Sequence, residues 1–442
     1  MITVALMIAA SRMTVSVDAK YKRVNNSVRT LVLLGGMEVY QLNDDVVYVR
    51  GAKKGAIYDF TSTDVYWIND EACELLDRFI AADGDISQFT TEEKAYISLL
   101  ETKQLYREEY KLKAYTPNVE RSQHLKMAWL EITQACNCRC LHCYQGDDHF
   151  QNVDVLELKD WKRVIDELYT LGVSRVVVIG GEPCMHKDIC EILNGLYERE
   201  IETTLFTNAT MIDACLMDLL IRCSDRISVK VSLYADNADD HDKITRRHGS
   251  FDELVRNVRT LTQNGATVDV AVVAMRENQD KLADIRQFIH SLGANYSKFD
   301  VIRNVFGGRQ DQHTPTAQDI VDSCSFCEPH FKADRRRFDE NFYENSCWFG
   351  KIAITETGDV LPCVFERGII YGNVKKLAVK DILEAEELKR CWYMDFSCVE
   401  SCKDCEFRYS CKDCRPLGIS VRGDIHTKNP RCRYDPYTGQ WR

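Results

Sequence analysis

From residue 126 onward, short apolar runs alternate with segments whose apolar positions recur every three or four residues. The strand-type runs are 127–133, 175–179, 202–207, 227–234, 267–275 and 297–301. Between them the helical period covers 156–171, 189–199, 211–222, 251–264 and 281–292. This repetition predicts an α/β unit with a parallel sheet, either doubly wound or a full or partial barrel. In both arrangements the loops after the strand C-termini carry the chemistry.

Upstream the rhythm differs. Runs 28–34, 38–42, 45–50 and 55–60 read as strands, punctuated by Gly35-Gly36, Asn43-Asp44 and Gly51. Two helices follow: Asn69 is placed to cap residues 71–82, and Thr90-Thr91-Glu92-Glu93 opens an amphipathic helix running to 105. Small strands followed by helices predict a winged-helix-like α+β module over 1–110. A polar connector with Pro117 fills 111–125, the α/β unit takes 126–310, and a cysteine-rich third block, poor in regular pattern, occupies 311–442.

Charge bears on the first module. Residues 1–110 hold 12 Lys and Arg against 17 Asp and Glu, a net of −5, and the whole chain carries −11. A surface that reads nucleic acid needs clustered basic residues, so that partner is not expected. A sheet edge that accepts an extended peptide as an added strand fits the module better. The apolar stretch 1–10 is short of the roughly 20 residues a membrane span requires, and no later segment suggests membrane association.

Cysteine changes the picture further. Twenty occur among 442 residues, most densely at 136–143 and 324–432, with only Cys73 before 130. A chain of this size is not a small secreted disulfide scaffold. Thiols grouped at short spacing in a reducing, cytoplasmic setting point to metal.

Cys136, Cys140 and Cys143 form C-x3-C-x2-C directly after the first strand of the α/β unit. Three thiolates on one loop hold three irons of a [4Fe–4S] cube and leave the fourth open to a small-molecule ligand. The alternatives are a zinc knuckle, which wants paired C-x2-C sets, and plain core cysteines. Cys138 lies off the spacing and is not counted as a ligand.

This loop resembles the hallmark of the radical SAM superfamily. The resemblance implies a partial (β/α)6 TIM-like barrel, S-adenosylmethionine chelated at the open iron, and a 5′-deoxyadenosyl radical made on one-electron reduction. Gly180-Gly181-Glu182-Pro183 after the second strand resembles the family's GGEP motif, which binds the methionine amine. Asn208 ends the third strand and Ser232 lies near the end of the fourth, positions from which the family contacts the cofactor's sugar and carboxylate. His142 and Tyr144 flank the last thiol, where an aromatic neighbour packs beside the adenine. Arg246 and Arg247, in a charged loop over 241–249, are further candidates for the cofactor carboxylate.

The third block resembles the SPASM extension of radical SAM maturases, which binds two auxiliary [4Fe–4S] clusters. By that pattern Cys402, Cys405, Cys411 and Cys432 bind the distal cluster, and Cys347, Cys363 and Cys414 the nearer one. Cys324 or Cys327 would supply its fourth ligand, or the iron stays open for a substrate thiolate. Thr357-Gly358-Asp359 is a hairpin turn that folds Cys363 back toward Cys347. The spacing between Cys411 and Cys414 is one residue shorter than usual in the family. A zinc ribbon needs about 15 to 20 residues between its C-x2-C pairs, and here five separate them.

Module, barrel and extension together resemble the maturases of ribosomally synthesised, post-translationally modified peptides. That implies a precursor peptide whose leader docks on the first module, and an electron donor such as flavodoxin or ferredoxin. A cysteine thioether is the favoured product. Carbon–carbon crosslinking, sulfatase-type maturation and a non-catalytic iron–sulfur or zinc peptide binder are the alternatives. No residue is singled out as a catalytic acid or base.

Overall fold

The computed structural model describes residues 39–117, 124–146, 155–297, 299–305, 311–318, 320, 331–344 and 346–441. The strand expected at 28–34, the apolar stretch 1–10, and Cys324 and Cys327 lie outside them.

β1 (Val39–Asn43), β2 (Val46–Arg50), β3 (Gly55–Asp59) and β4 (Asp64–Ile68) form an antiparallel meander, and β5 (Lys113–Ala114) pairs with β1 on its outer side. The connector is thus partly strand. Neither β4 nor β5 was expected: β4 lies between Thr61-Ser62-Thr63 and the helix cap Asn69, and it pairs along its length with β3. α1 (Asp70–Ala81) starts where the Asn69 side chain accepts from the Ala72 amide, and α2 (Thr91–Thr102) starts on a capping box between Thr90 and Glu93. Alternation along β2 decides the packing. Val46 and Tyr48 face the helices with Leu76, Phe79 and Leu100, whereas Val47 and Val49 join Phe338, Phe407, Tyr409 and Tyr434 of the C-terminal block. The sheet is therefore buried on both faces, which is why β2 reads as an unbroken apolar run.

β6 (Met127–Glu131), β7 (Arg175–Ile179), β8 (Glu202–Thr207), β9 (Ile227–Ser232), β10 (Val268–Ala271) and β12 (Asn295–Tyr296) are parallel and adjacent in chain order. The described strands form an open sheet, not a closed barrel. The fifth expected strand is split, with β11 (Val273–Ala274) leaving β10 to pair with β13 (Asp300–Val301); the sixth, expected at 297–301, holds only β13, and β12 lies before its expected start. Past β6 the sheet continues through β14 (Lys351–Ile354), parallel to β6, then β15 (Asp359–Leu361) and β16 (Gly372–Asn373), both antiparallel. The expected hairpin at 357–359 joins β14 to β15, with Gly358 at φ 89°. Trp161, Trp348 and Trp392, all buried, belong to one core spanning the parallel sheet and the C-terminal block.

Two expectations change. The segment 241–249, expected as a loop, begins inside a helix, Ala238–Thr245, capped by the Asn237 side chain and stopped by Arg246 in the left-handed region (φ 53°). The third block also holds more regular structure than its pattern suggested, including helices Arg335–Tyr343, Glu386–Trp392 and Arg415–Arg422.

Candidate active site

A cavity of about 270 Å³ opens at the C-terminal ends of the parallel strands. Cys136, Cys140 and Cys143 line it together with His142, Tyr144, Gly180, Gly181, Glu182, Asn208 and Ser232. Most of the residues that spacing and strand-end position selected are therefore brought together, but Pro183 and Arg246 are not among the lining residues. Cys138 lines it as well, although its spacing had set it aside.

The loop is held from two sides. Arg139 and Leu141 donate their amides to the carbonyls of Thr245 and Ile244, and Asn208 Nδ2 donates to Asn137 Oδ1 at 2.9 Å. Opposite, Gly181 N donates to Thr133 O and Glu182 N to Ala135 O, each at 2.7 Å. A Cβ on Gly180 or Gly181 would stand 2.3 Å from a carbonyl oxygen of that loop, so glycine is required for backbone to lie on backbone.

Glu182 braces the site. Its carboxylate, 1% exposed, accepts from the Thr207 hydroxyl at 2.6 Å, the Asn208 amide at 2.7 Å and the Cys184 amide at 3.1 Å. Burial pushes its pKa up against these hydrogen bonds. Both oxygens are thus engaged within the protein, joining the second strand end to the third.

His142 stacks edge-on to Tyr234 at 4.5 Å, and burial holds its imidazole pKa down to about 4. Tyr144 donates its hydroxyl to Glu131 Oε1 at 3.0 Å and meets the Phe365 ring at 5.1 Å. Glu131 is clamped by both terminal nitrogens of Arg367, a buried bidentate pair. Arg247 pairs with Glu253 and does not line the cavity.

The auxiliary cysteines fall into two neighbourhoods. The Cys411 thiol feels Cys432, Cys402 and Cys405, whereas Cys347 feels Cys414 and Cys363. Burial pushes Cys402 and Cys363 up to about 12, so a metal there must displace protons. Cys414 is the exception, pulled below the usual thiol range by its hydrogen bond with Cys347 and by the Arg303 charge.

Asp300, Arg303 and Phe365 also line the cavity, and the sequence reading missed them. Asp300 opens β13 itself; Arg303 follows that strand, where loops face the chemistry, and for Arg303 that position was the available signal.

Residues 130–289 match the radical SAM superfamily, and residues 347–406 match SPASM, an iron–sulfur cluster-binding domain. The chain is a radical SAM enzyme with a SPASM domain. Its relatives include the antilisterial bacteriocin subtilosin biosynthesis protein AlbA of Bacillus subtilis, 24% identical over 93% of this chain and 96% of that protein. An AdoMet-dependent heme synthase of Methanosarcina barkeri is 23% identical over 70% of this chain and 96% of its own length. Among solved structures, Streptococcus suis SuiB bound to the precursor peptide SuiA covers 89% of this chain and 100% of its own, with a TM-score of 0.56 at 16% identity.

The cofactors of this radical SAM enzyme are S-adenosylmethionine and iron–sulfur clusters. The cavity fits them on its own evidence. His142 Nδ1 and Gln145 Oε1 are buried without a partner among the described residues, on side chains that line the same space as the thiols. A polar ligand seated there would satisfy them. Among the described residues, no three His, Cys, Asp or Glu side chains converge as a single metal ion requires. No helix among those residues is long and apolar enough to cross a membrane.

Proposed function

We propose that this enzyme matures a ribosomally made precursor peptide by joining a cysteine sulfur to a carbon of the same peptide. The observation that carries the reading is the cavity itself. Cys136, Cys140 and Cys143 line it, and so do Arg303 and Phe365, which adjoin the neighbourhood of Cys347, Cys363 and Cys414. A substrate held there would lie between a radical source and an electron acceptor. Near full-length similarity to the subtilosin biosynthesis protein supports a peptide as substrate.

In this reading Cys136, Cys140 and Cys143 hold the catalytic cluster. Cys347, Cys363 and Cys414 hold the nearer auxiliary cluster, and Cys402, Cys405, Cys411 and Cys432 the distal one. S-adenosylmethionine, when bound and reduced by one electron, supplies a 5′-deoxyadenosyl radical. The chain's own residues do the rest. Gly180 and Gly181 clear the backbone for the cofactor's methionine end, while Asn208 and Ser232 present polar groups from adjacent strands. His142 stays neutral, and Phe206, Val273, Ile302 and Phe365 exclude water from a reactive carbon radical.

The balance of the second half-reaction requires an acceptor. Once a hydrogen atom has left a peptide carbon, C• and S–H become C–S plus one proton and one electron. The auxiliary clusters would take that electron. Leader docking on the β4 edge, which has no strand partner among the described residues, would raise the local concentration of the core peptide.

The test is reconstituted enzyme with a leader-bearing precursor encoded beside it. Wild type should form 5′-deoxyadenosine and a product lighter by two hydrogens whose thiol no longer alkylates. Cys136→Ala should form neither, and Cys347→Ala should form deoxyadenosine without crosslinked product. A product that keeps an alkylatable thiol replaces the thioether with a carbon–carbon bond. Wild type that makes no deoxyadenosine removes the reading altogether.

A further inference from the structure

Beyond β13 the chain reaches Arg303, to which the scheme above gives no chemical role. Its Nε donates to Asp300 Oδ2 at 2.7 Å, its Nη1 lies 3.9 Å from Cys414 Sγ, and its guanidinium sits 4.8 Å over the Phe365 ring. Phe365 follows Cys363 by two residues. One cation therefore touches both chain segments that bring Cys363 and Cys414 together, and it does so from the wall of the cavity.

Asp300 fixes this cation in place. It also accepts from Arg431 Nη1 at 2.9 Å, and Arg431 Nη2 donates to the carbonyls of Val301 and Ile302 at 2.8 and 3.2 Å. Arg431 immediately precedes Cys432 of the other neighbourhood. The end of β13 is thus latched to the cysteine-rich block by two arginines sharing one carboxylate. Only an arginine can fork to a carboxylate and lie flat on a ring at once.

We propose that Arg303 is a positioning residue that sets the reduction potential of the nearer auxiliary cluster. The inference rests on the reading that Cys347, Cys363 and Cys414 hold that cluster. Reduction adds one negative charge, so a fixed cation and an N–H directed at the Cys414 ligand sulfur stabilise the reduced form more than the oxidised form. The potential rises, and the cluster accepts the one electron released as C• and S–H become C–S and a proton. Without the cation that transfer is less favourable, and the carbon radical persists longer.

The experiment is an anaerobic redox titration followed by electron paramagnetic resonance, on reconstituted wild type, Arg303→Met, Arg303→Lys and Asp300→Asn. Arg303→Met should shift the nearer cluster's reduction equilibrium about tenfold toward the oxidised form, which is about 59 mV lower for a one-electron couple. Arg303→Lys should recover part of that shift. Asp300→Asn removes the counter-charge and should move the midpoint the opposite way, which damaged packing would not do. An unchanged midpoint in Arg303→Met with all clusters present overturns the proposal. So does an Asp300→Asn shift of the same sign, and that variant decides the matter if Arg303→Met does not load. Cys414→Ala separates the two levels. If it keeps every cluster with unaltered spectra, the ligand reading itself has failed.

Discussion

At the residue scale, the site depends on two glycines and a buried carboxylate. Gly181 lies so close to the cluster loop that a methyl would meet Gln134 O at 2.3 Å and Ala135 O at 2.5 Å, both backbone atoms that cannot swing aside. We expect Gly181→Ala to cost about 1–3 kcal/mol, as overpacking does, and to abolish 5′-deoxyadenosine formation. A variant with wild-type turnover would show that the two loops do not need this contact. Away from the thiols, His241 is buried between Tyr234 and Phe251, and its Nδ1 accepts the Tyr234 amide at 3.3 Å. Burial depresses its pKa from 6.5 to about 4, with Asp242 partly opposing. Above pH 6.5 the ring is neutral whether the chain is folded or not. Between 6.5 and 4 the unfolded chain binds a proton that the folded chain refuses, so stability falls with pH, by about 3 kcal/mol at pH 4. Thermal melts at pH 7 and pH 5 should show a smaller loss for His241→Gln than for wild type. An equal loss would assign the acid sensitivity elsewhere.

Among elements, the ones with strong local signals were legible. β7 and β8 lie at the limits that the pattern gave, and α1 and α2 begin at Asn69 and Thr90, because caps and apolar period act within a few residues. β4 was not expected, because it is a five-residue strand that runs directly into the helix cap at Asn69. It matters most for peptide docking: β5 covers part of the β1 edge, while β4 has an open edge among the described residues. If the leader adds there as a strand, hydrogen exchange at Asp64–Ile68 should slow when leader peptide is present and stay unchanged with core peptide alone. Protection confined to β1 would move the docking edge to the other side of the sheet. The split of the fifth strand was equally invisible, because the extended pattern of 267–275 continues past Ala271 while the pairing switches from β12 to β13.

Over the whole molecule, one aromatic residue ties the first module to the metal-bearing block. Phe338 is fully buried and meets Tyr58 at 4.8 Å, Tyr115 at 5.3 Å and Tyr409 at 4.7 Å. Cys405 and Cys432 pack against the same cluster of side chains. Phe338→Ala should cost about 3–5 kcal/mol, the usual loss for a buried ring, and should expose β1–β3 to exchange. Removing iron with a chelator should expose the same strands, since the thiols below them lose their organiser. Wild-type protection in both samples would mean that the module stands independently of the block beneath it.

The chain's own pattern determined the parallel sheet, the C-x3-C-x2-C loop after its first strand and the Gly180-Gly181 turn after its second. Each is written in contiguous residues, as period or as spacing. Tertiary structure alone decided that β14 extends the sheet beside β6, that Glu182 spends its oxygens on the neighbouring strand end, and that Arg303 meets Cys414 across 111 residues of chain. Contacts between distant segments depend on how the layers close over one another, and no local propensity encodes that geometry.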